Sequence, residues 1–156
     1  MDLYLMQHGA AMAETDDPAR PLTEEGRAAV ARVAARAQTA GVRVDYCVHS
    51  GKLRAEQTAQ LLARALGADG RLQAQTGLAP NDPVAPVAAW LHGSAEAQSI
   101  ALVGHLPFLD RLASLLIAED ENAHVIRFQM GGLVKLVPKQ ERAGFAVAWA
   151  LPPEIA

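Results

Sequence analysis

Along the first 118 residues, short continuous apolar runs alternate with longer stretches in which apolar residues recur every three or four positions, and after His124 only short runs remain. A short run closed by a turn residue reads as a buried strand, whereas recurrence at i, i+3, i+4 and i+7 reads as one face of a helix. Leu3 to Met6, closed by Gly9, is the first strand. Thr23-Glu24-Glu25-Gly26 offers a capping hydroxyl and acidic groups for a first helical turn, and the stripe Ala29, Val30, Val33, Ala34, Ala37 runs on to a stop at Gly41. Val44 to His49 is a second strand, closed by Ser50-Gly51, and Arg54 to Leu66 a second helix with Ala55, Thr58, Leu61, Leu62 and Ala65 inward. A short strand at Arg71 to Ala74, a loop at Pro80 to Pro86 and a short helix from Val87 to Leu91 follow. Ser99 to Val103, ended by Gly104, is another strand, and Leu109 to Ile117 a helix entered through Pro107. Val125 to Phe128, Leu133 to Val137 and Phe145 to Leu151 read as three further strands. Strand–helix alternation followed by strands predicts an α/β fold in three layers (α/β/α), with a mostly parallel central sheet and an antiparallel C-terminal edge. No linker or repeat divides the 156 residues, so residues 1–156 are expected to form a single domain.

Composition narrows the function classes. The chain is 51% hydrophobic but only 4% aromatic, so its apolar surface comes from small side chains suited to close helix–sheet packing. Fourteen Lys and Arg against 17 Asp and Glu give a net charge of −3, which argues against a nucleic-acid partner. The lone cysteine, Cys47, excludes an internal disulfide and a Cys-rich zinc site, and reads as a small buried hydrophobe. No run reaches the roughly 18 apolar residues of a membrane span. The opening MDLYLMQHG lacks a basic segment before an apolar one, so no membrane partner and a cytoplasmic location are expected. No G-x-G-x-x-G or Walker loop is present, and no cofactor is expected.

In sheets of this kind ligands bind outside the carboxyl ends of the strands. Three strand ends carry polar residues there: Gln7-His8-Gly9, His49-Ser50-Gly51 and Gly104-His105-Leu106-Pro107, with Arg54 at the start of the helix after the second. Singly, a strand-end histidine is an ordinary hydrogen-bonded residue and an arginine at a helix start is solvated. Two histidines and an arginine at one edge support phosphoryl transfer through a histidine. A neutral imidazole attacks phosphorus with one nitrogen while the other holds the proton. The anionic oxygens then need donors, for which the Arg54 fork and a helix N-terminus are suited, with His105 as a further charged donor if protonated. A metal site of His8, His49 and His105 is the competing arrangement, but Arg20 and Arg54 would set positive charge beside the ion, so no metal is expected. His92 and His124 read as surface, and Trp90 and Trp149 as core.

These segments resemble the histidine phosphatase superfamily, and within it the SixA-type phosphohistidine phosphatases. The matching stretches are Leu5-Met6-Gln7-His8-Gly9, Arg20-Pro21-Leu22-Thr23-Glu24-Glu25-Gly26, Ser50-Gly51-Lys52-Leu53-Arg54-Ala55-Glu56-Gln57-Thr58-Ala59 and Val103-Gly104-His105-Leu106-Pro107, in family order across residues 2 to 118. The resemblance implies a phosphoglycerate mutase-like fold. It implies a phosphorylated His8, with Arg54 and His105 binding the phosphoryl group and Arg20 adding a contact. Three positions depart from the pattern. Gln7 replaces the arginine before the nucleophile, removing a charge-assisted bond worth about twice a neutral one. Gly51 stands where many members have proline, a departure expected to be mild. Pro80 falls where larger members carry an acidic residue that protonates the leaving group, leaving Asp82 as the candidate acid.

A missing acid suits a phosphoramidate, whose imidazole departs more easily than an alkoxide. The expected function is therefore hydrolysis of phosphohistidine on a protein through phospho-His8, releasing inorganic phosphate, with activity reduced by Gln7. The alternatives are a phosphate- or phosphoprotein-binding pseudoenzyme and a phosphatase for a small phosphomonoester.

Overall fold

The computed structural model describes residues 1–94, 97–141 and 143–156. Six strands, β1 (Asp2–Gln7), β2 (Tyr46–His49), β3 (Leu72–Ala74), β4 (Ser99–Gly104), β5 (Leu133–Pro138) and β6 (Phe145–Leu151), form one sheet in the order β3-β2-β4-β1-β5-β6. The first four are mutually parallel, and β5 and β6 close the C-terminal side antiparallel. Four helices cover the sheet: α1 (Glu24–Thr39), α2 (Leu53–Leu66), α3 (Ala85–Gly93) and α4 (Phe108–Ala118).

Strand alternation sorts the core into two halves. Leu3, Leu5, Val48, Ile100 and Leu102 pack with α3 and α4, whereas Tyr4, Met6, Cys47, Ala101 and Val103 pack with α1 and α2. The expected three-layer arrangement with an antiparallel edge is present. On α2 the buried stripe is Ala55, Thr58, Ala59, Leu62, Ala63 and Leu66, while Leu61 and Ala65 sit at its margin. The smaller residues face the sheet, where Ala59 lies against the buried Cys47. Trp90 and Trp149, expected in the core, are only partly buried at its edges.

Val125 to Phe128 is not a strand. The side of β1 away from β4 is already occupied by β5, so the segment has no place beside that strand. The segment instead runs along α4, with Phe128 buried and the Val125 N–H donating to Ser114 Oγ at 3.3 Å. His124, read as an isolated surface residue, is exposed but bonds through Nδ1 to the Asp110 carboxylate. Among the described residues no helix is long and apolar enough to cross a membrane.

The loop after β1 is pressed against α1 at two glycines. A Cβ on Gly26 would lie 2.1 Å from the Ala10 carbonyl oxygen, and one on Gly9 would lie 2.8 Å from Val30 Cγ2. Thr23 caps α1 by accepting the Gly26 N–H at 2.9 Å, and its own N–H donates to the Ala10 carbonyl at 2.9 Å. Replacing Gly26 by Ala therefore opposes a helix-propensity gain of about 1 kcal/mol with a clash against backbone that cannot rotate away. We expect Gly26→Ala to lower stability by about 2 kcal/mol in urea unfolding. An unchanged or raised midpoint would show that the loop can move off the helix.

Candidate active site

β4 lies between β2 and β1, and the connections leave in opposite directions. β1 and β2 lead to α1 and α2 on one face, while β4 leads to α4 on the other. The divergence opens a crevice at the carboxyl ends of these strands. His8 follows β1, Ser50 follows β2, and His105 follows β4 between them. The His8 and His105 rings are 5.0 Å apart, tilted by 53°. Both are buried, His8 8% and His105 2% exposed.

The His8 Nδ1 lies 2.7 Å from the Gly9 carbonyl. A carbonyl only accepts, so Nδ1 carries the proton and Nε2 presents its lone pair. Arg54 Nε donates to that Nε2 at 3.3 Å. Burial lowers the His8 pKa below 6.5, the Gly9 bond opposes the shift, and the charges of Arg54 and Arg20 lower it further. His8 is thus neutral at pH 7, as a nitrogen nucleophile must be.

Arg54 is held by its helix. Arg54, Gln57 and Thr58 are spaced i, i+3 and i+4, so they share one face of α2. That face grips the β1–α1 connection: the Gly9 N–H donates to Thr58 Oγ1 at 3.0 Å, and the Leu22 N–H donates to Gln57 Oε1 at 2.8 Å. Thr58 also donates to the Arg54 carbonyl at 2.7 Å. The R-A-x-Q-T spacing thereby ties the guanidinium to the loop that carries His8.

His105 Nε2 is 2.6 Å from Ser50 Oγ, and its buried Nδ1 has no partner among the described residues. Its pKa falls to about 3, first through burial and then through His8, Arg54, Lys52 and Arg20. The charged donor considered from the sequence is therefore a neutral imidazole in the free site. Arg20 takes a left-handed backbone, φ 49°, and its Nε donates to the Met12 carbonyl at 3.1 Å. Its charge acts on His8, Arg54 and His105.

Other expected residues stand differently. Gln7 is half-buried on β1, opposite Gly104, and its carbonyl accepts the Gly131 N–H at 2.9 Å. Alternation puts its side chain on the α4 side of the sheet, across from the α1 side that receives Met6. Asp82, the candidate acid, closes a turn: its Oδ2 accepts the Ala79 N–H at 2.8 Å. It is not among the charges acting on His8 or His105. His49 is buried with Nδ1 accepting the Gly51 N–H at 3.2 Å. Among the described residues no group of three or more His, Cys, Asp or Glu is placed to hold a metal. Burial raises the Cys47 pKa to about 12, leaving an inert thiol.

Gly51 is more than a mild departure. Its φ of +82° is closed to proline, whose ring fixes φ near −65°. The loop from Ser50 to Lys52 thus follows a path that a proline at this position could not take. Sequence reasoning gave no role to Ser50, Gln57 and Thr58, although all three lie inside the quoted stretch Ser50 to Ala59; for Gln57 and Thr58, their spacing from Arg54 on α2 was the available signal.

Comparison with known proteins agrees with this geometry. Residues 3–79 match the family model of the histidine phosphatase superfamily (branch 1). An uncharacterized protein of Picosynechococcus sp. is 36% identical over 142 residues, covering 87% of this chain and 84% of that protein. Among solved structures, the protein histidine phosphatase SixA complexed with tungstate superimposes with a TM-score of 0.86 at 24% identity, covering 98% of this chain and 97% of that one. The proposed phosphohistidine phosphatase SixA of Agrobacterium tumefaciens gives 0.79 at 25% identity, covering 97% of each chain. The sheet order, the paired histidines and the family-model match converge: this chain belongs to the histidine phosphatase superfamily.

Proposed function

We propose that this protein is a phosphatase that hydrolyses phosphohistidine on a partner protein through a phospho-His8 intermediate. The observation that carries the reading is the fixed tautomer of His8: Nδ1 donates to the Gly9 carbonyl, and Nε2 faces Arg54 with its lone pair available. In the first step Nε2 forms a bond to phosphorus, and the P–N bond of the substrate breaks. The departing imidazole keeps the electron pair and takes a proton from water. Arg54, released from Nε2, donates to the phosphoryl oxygens together with Arg20. In the second step water attacks phosphorus and the P–Nε2 bond breaks. The electron pair returns to Nε2, orthophosphate leaves, and the surplus proton goes to solvent.

The substrate class rests on two observations. The Asp82 carboxylate is engaged in its own turn, so the arrangement favours a leaving group that needs little acid assistance. The connections after β2 and β4 are short, residues 50–52 and 105–107, and add no inserted structure beside His105, which suits a residue presented on a protein surface. The likeness in fold to structures named SixA supports the same class.

A second reading, a module that binds phosphoryl groups with little turnover, is favoured by Gln7, which brings no charge to the strand end before His8. Loss of one electrostatic donor to a transition state costs on the order of 10²–10³ in rate. The two readings separate on a phosphohistidine-bearing protein and an aryl phosphate. We expect single-turnover labelling at His8, and a loss of turnover of at least about 10³-fold in His8→Ala. Tight phosphate binding without label or turnover would support the module instead. Gln7→Arg should raise kcat by about 10²-fold with little change in KM, since the added charge acts most in the transition state. No increase would show that the strand end does not aim residue 7 at the phosphoryl group.

The pH profile follows from His8. Its pKa is lowered from 6.5, so protonation disables the nucleophile only at more acid pH. Because kcat/KM reports groups of the free enzyme, its acid limb, corrected for ionisation of the substrate, should have a midpoint below pH 6.5. A midpoint at or above 6.5 would remove burial as the control on His8.

A further inference from the structure

We propose that the Lys52 ammonium binds the phosphoryl group from the His105 side of the crevice and supplies the positive charge that Gln7 lacks. The inference rests on the phosphoryl site argued above and adds a residue to it. The Lys52 N–H donates to Ser50 Oγ at 3.4 Å, and Ser50 Oγ bonds His105 Nε2 at 2.6 Å. Two short links thus separate the Lys52 backbone from the second histidine. Lys52 is also the N-cap of α2, two residues before Arg54, so both cations leave the same end of one helix.

The path of the loop is specific to this sequence. Gly51, at φ +82°, turns the chain in a way proline cannot, and Lys52 is the next residue. The side chain is also uncommitted. Of the three lysines, Lys135 pairs with Asp2 and Lys139 donates to the Ile117 carbonyl. Among the described residues no hydrogen bond or ion pair holds the Lys52 ammonium, and the residue is exposed. Its charge is already felt at His105, where it joins Arg54 and Arg20 in lowering the pKa. A strongly hydrated point charge on a flexible stem can follow a phosphoryl group through transfer without a fixed fork geometry.

Calorimetric titration with orthophosphate at low, constant ionic strength tests this without requiring turnover. Lys52→Met should weaken binding by about 10-fold, the worth of one charge-assisted hydrogen bond, and Lys52→Arg should stay within about 3-fold of the parent. In a Gln7→Arg background the same Lys52→Met change should cost less than about 3-fold, since the two cations then share one task. Equal losses in both backgrounds, or no loss in either, overturn the proposal. A folded parent that binds no orthophosphate would instead overturn the phosphoryl-site reading beneath it. Lys52→Gln, which keeps a polar tip, repeats the measurement if Lys52→Met fails to fold.

Discussion

Everything at the site depends on β4 lying between two strands whose helices leave on the other face. A parallel sheet buries both faces, so each crossover must choose a side. Here β1 and β2 choose one and β4 the other. The backbone therefore parts above the carboxyl ends, and the first residues of three loops meet there. That constraint explains why residues as distant in sequence as His8, Ser50 and His105 come within hydrogen-bonding or ring-contact range. The chemistry is supplied by side chains, but the space for it is supplied by topology.

His8 is then held by packing more than by its own bonds. Gly26 and Gly9 let the loop after β1 lie directly on α1, and Thr58 and Gln57 fasten the same loop to α2. His8 sits between these supports, with Nδ1 tied to the carbonyl of Gly9. Enzymes that rely on one fixed nitrogen need such support, because small displacements from productive geometry cost large factors in rate. The alanine-rich composition has a role in this. Small side chains on α1 and α2 let the first turns of both helices reach the loop after β1, Gly26 at Ala10 and Arg54 at His8.

The layered fold was legible in the sequence because periodicity reports burial directly. Runs such as Leu3 to Met6 and stripes such as Val30, Val33 and Ala37 can satisfy their apolar surface in only one way each. Val125 to Phe128 was misread for the same reason. Its apolar run is real, but β5 takes the place beside β1, and a competition between segments for one strand leaves no mark on local pattern. At the site, residue types announced themselves: histidines and an arginine at strand ends form an improbable coincidence. Protonation did not. The burial of His105 first, and then the imidazole and cations around it, decide its charge. Gly51 was underestimated because its backbone angle is invisible in one letter.

The electrostatics of the free site serve two ends with one set of charges. Burial first, and then Arg54 and Arg20, lower the His8 pKa and keep its ring unprotonated, and the two arginines are also the groups suited to hold an anionic phosphoryl. An arriving dianion cancels part of that field at the moment of binding, and by the same Coulombic argument it draws the His105 pKa upward from about 3. The second histidine is thus neutral when the site is empty, where a charge would repel its cationic neighbours, and its affinity for a proton grows when negative charge arrives. A chain with net charge −3 can do this only by concentrating cations locally. With the uncharged Gln7 at the end of rigid β1 and the proposed Lys52 contact at the mouth of α2, part of that field would come from a mobile point charge instead of a fixed fork. Such a charge adapts to the position of the phosphoryl group but fixes its orientation less well.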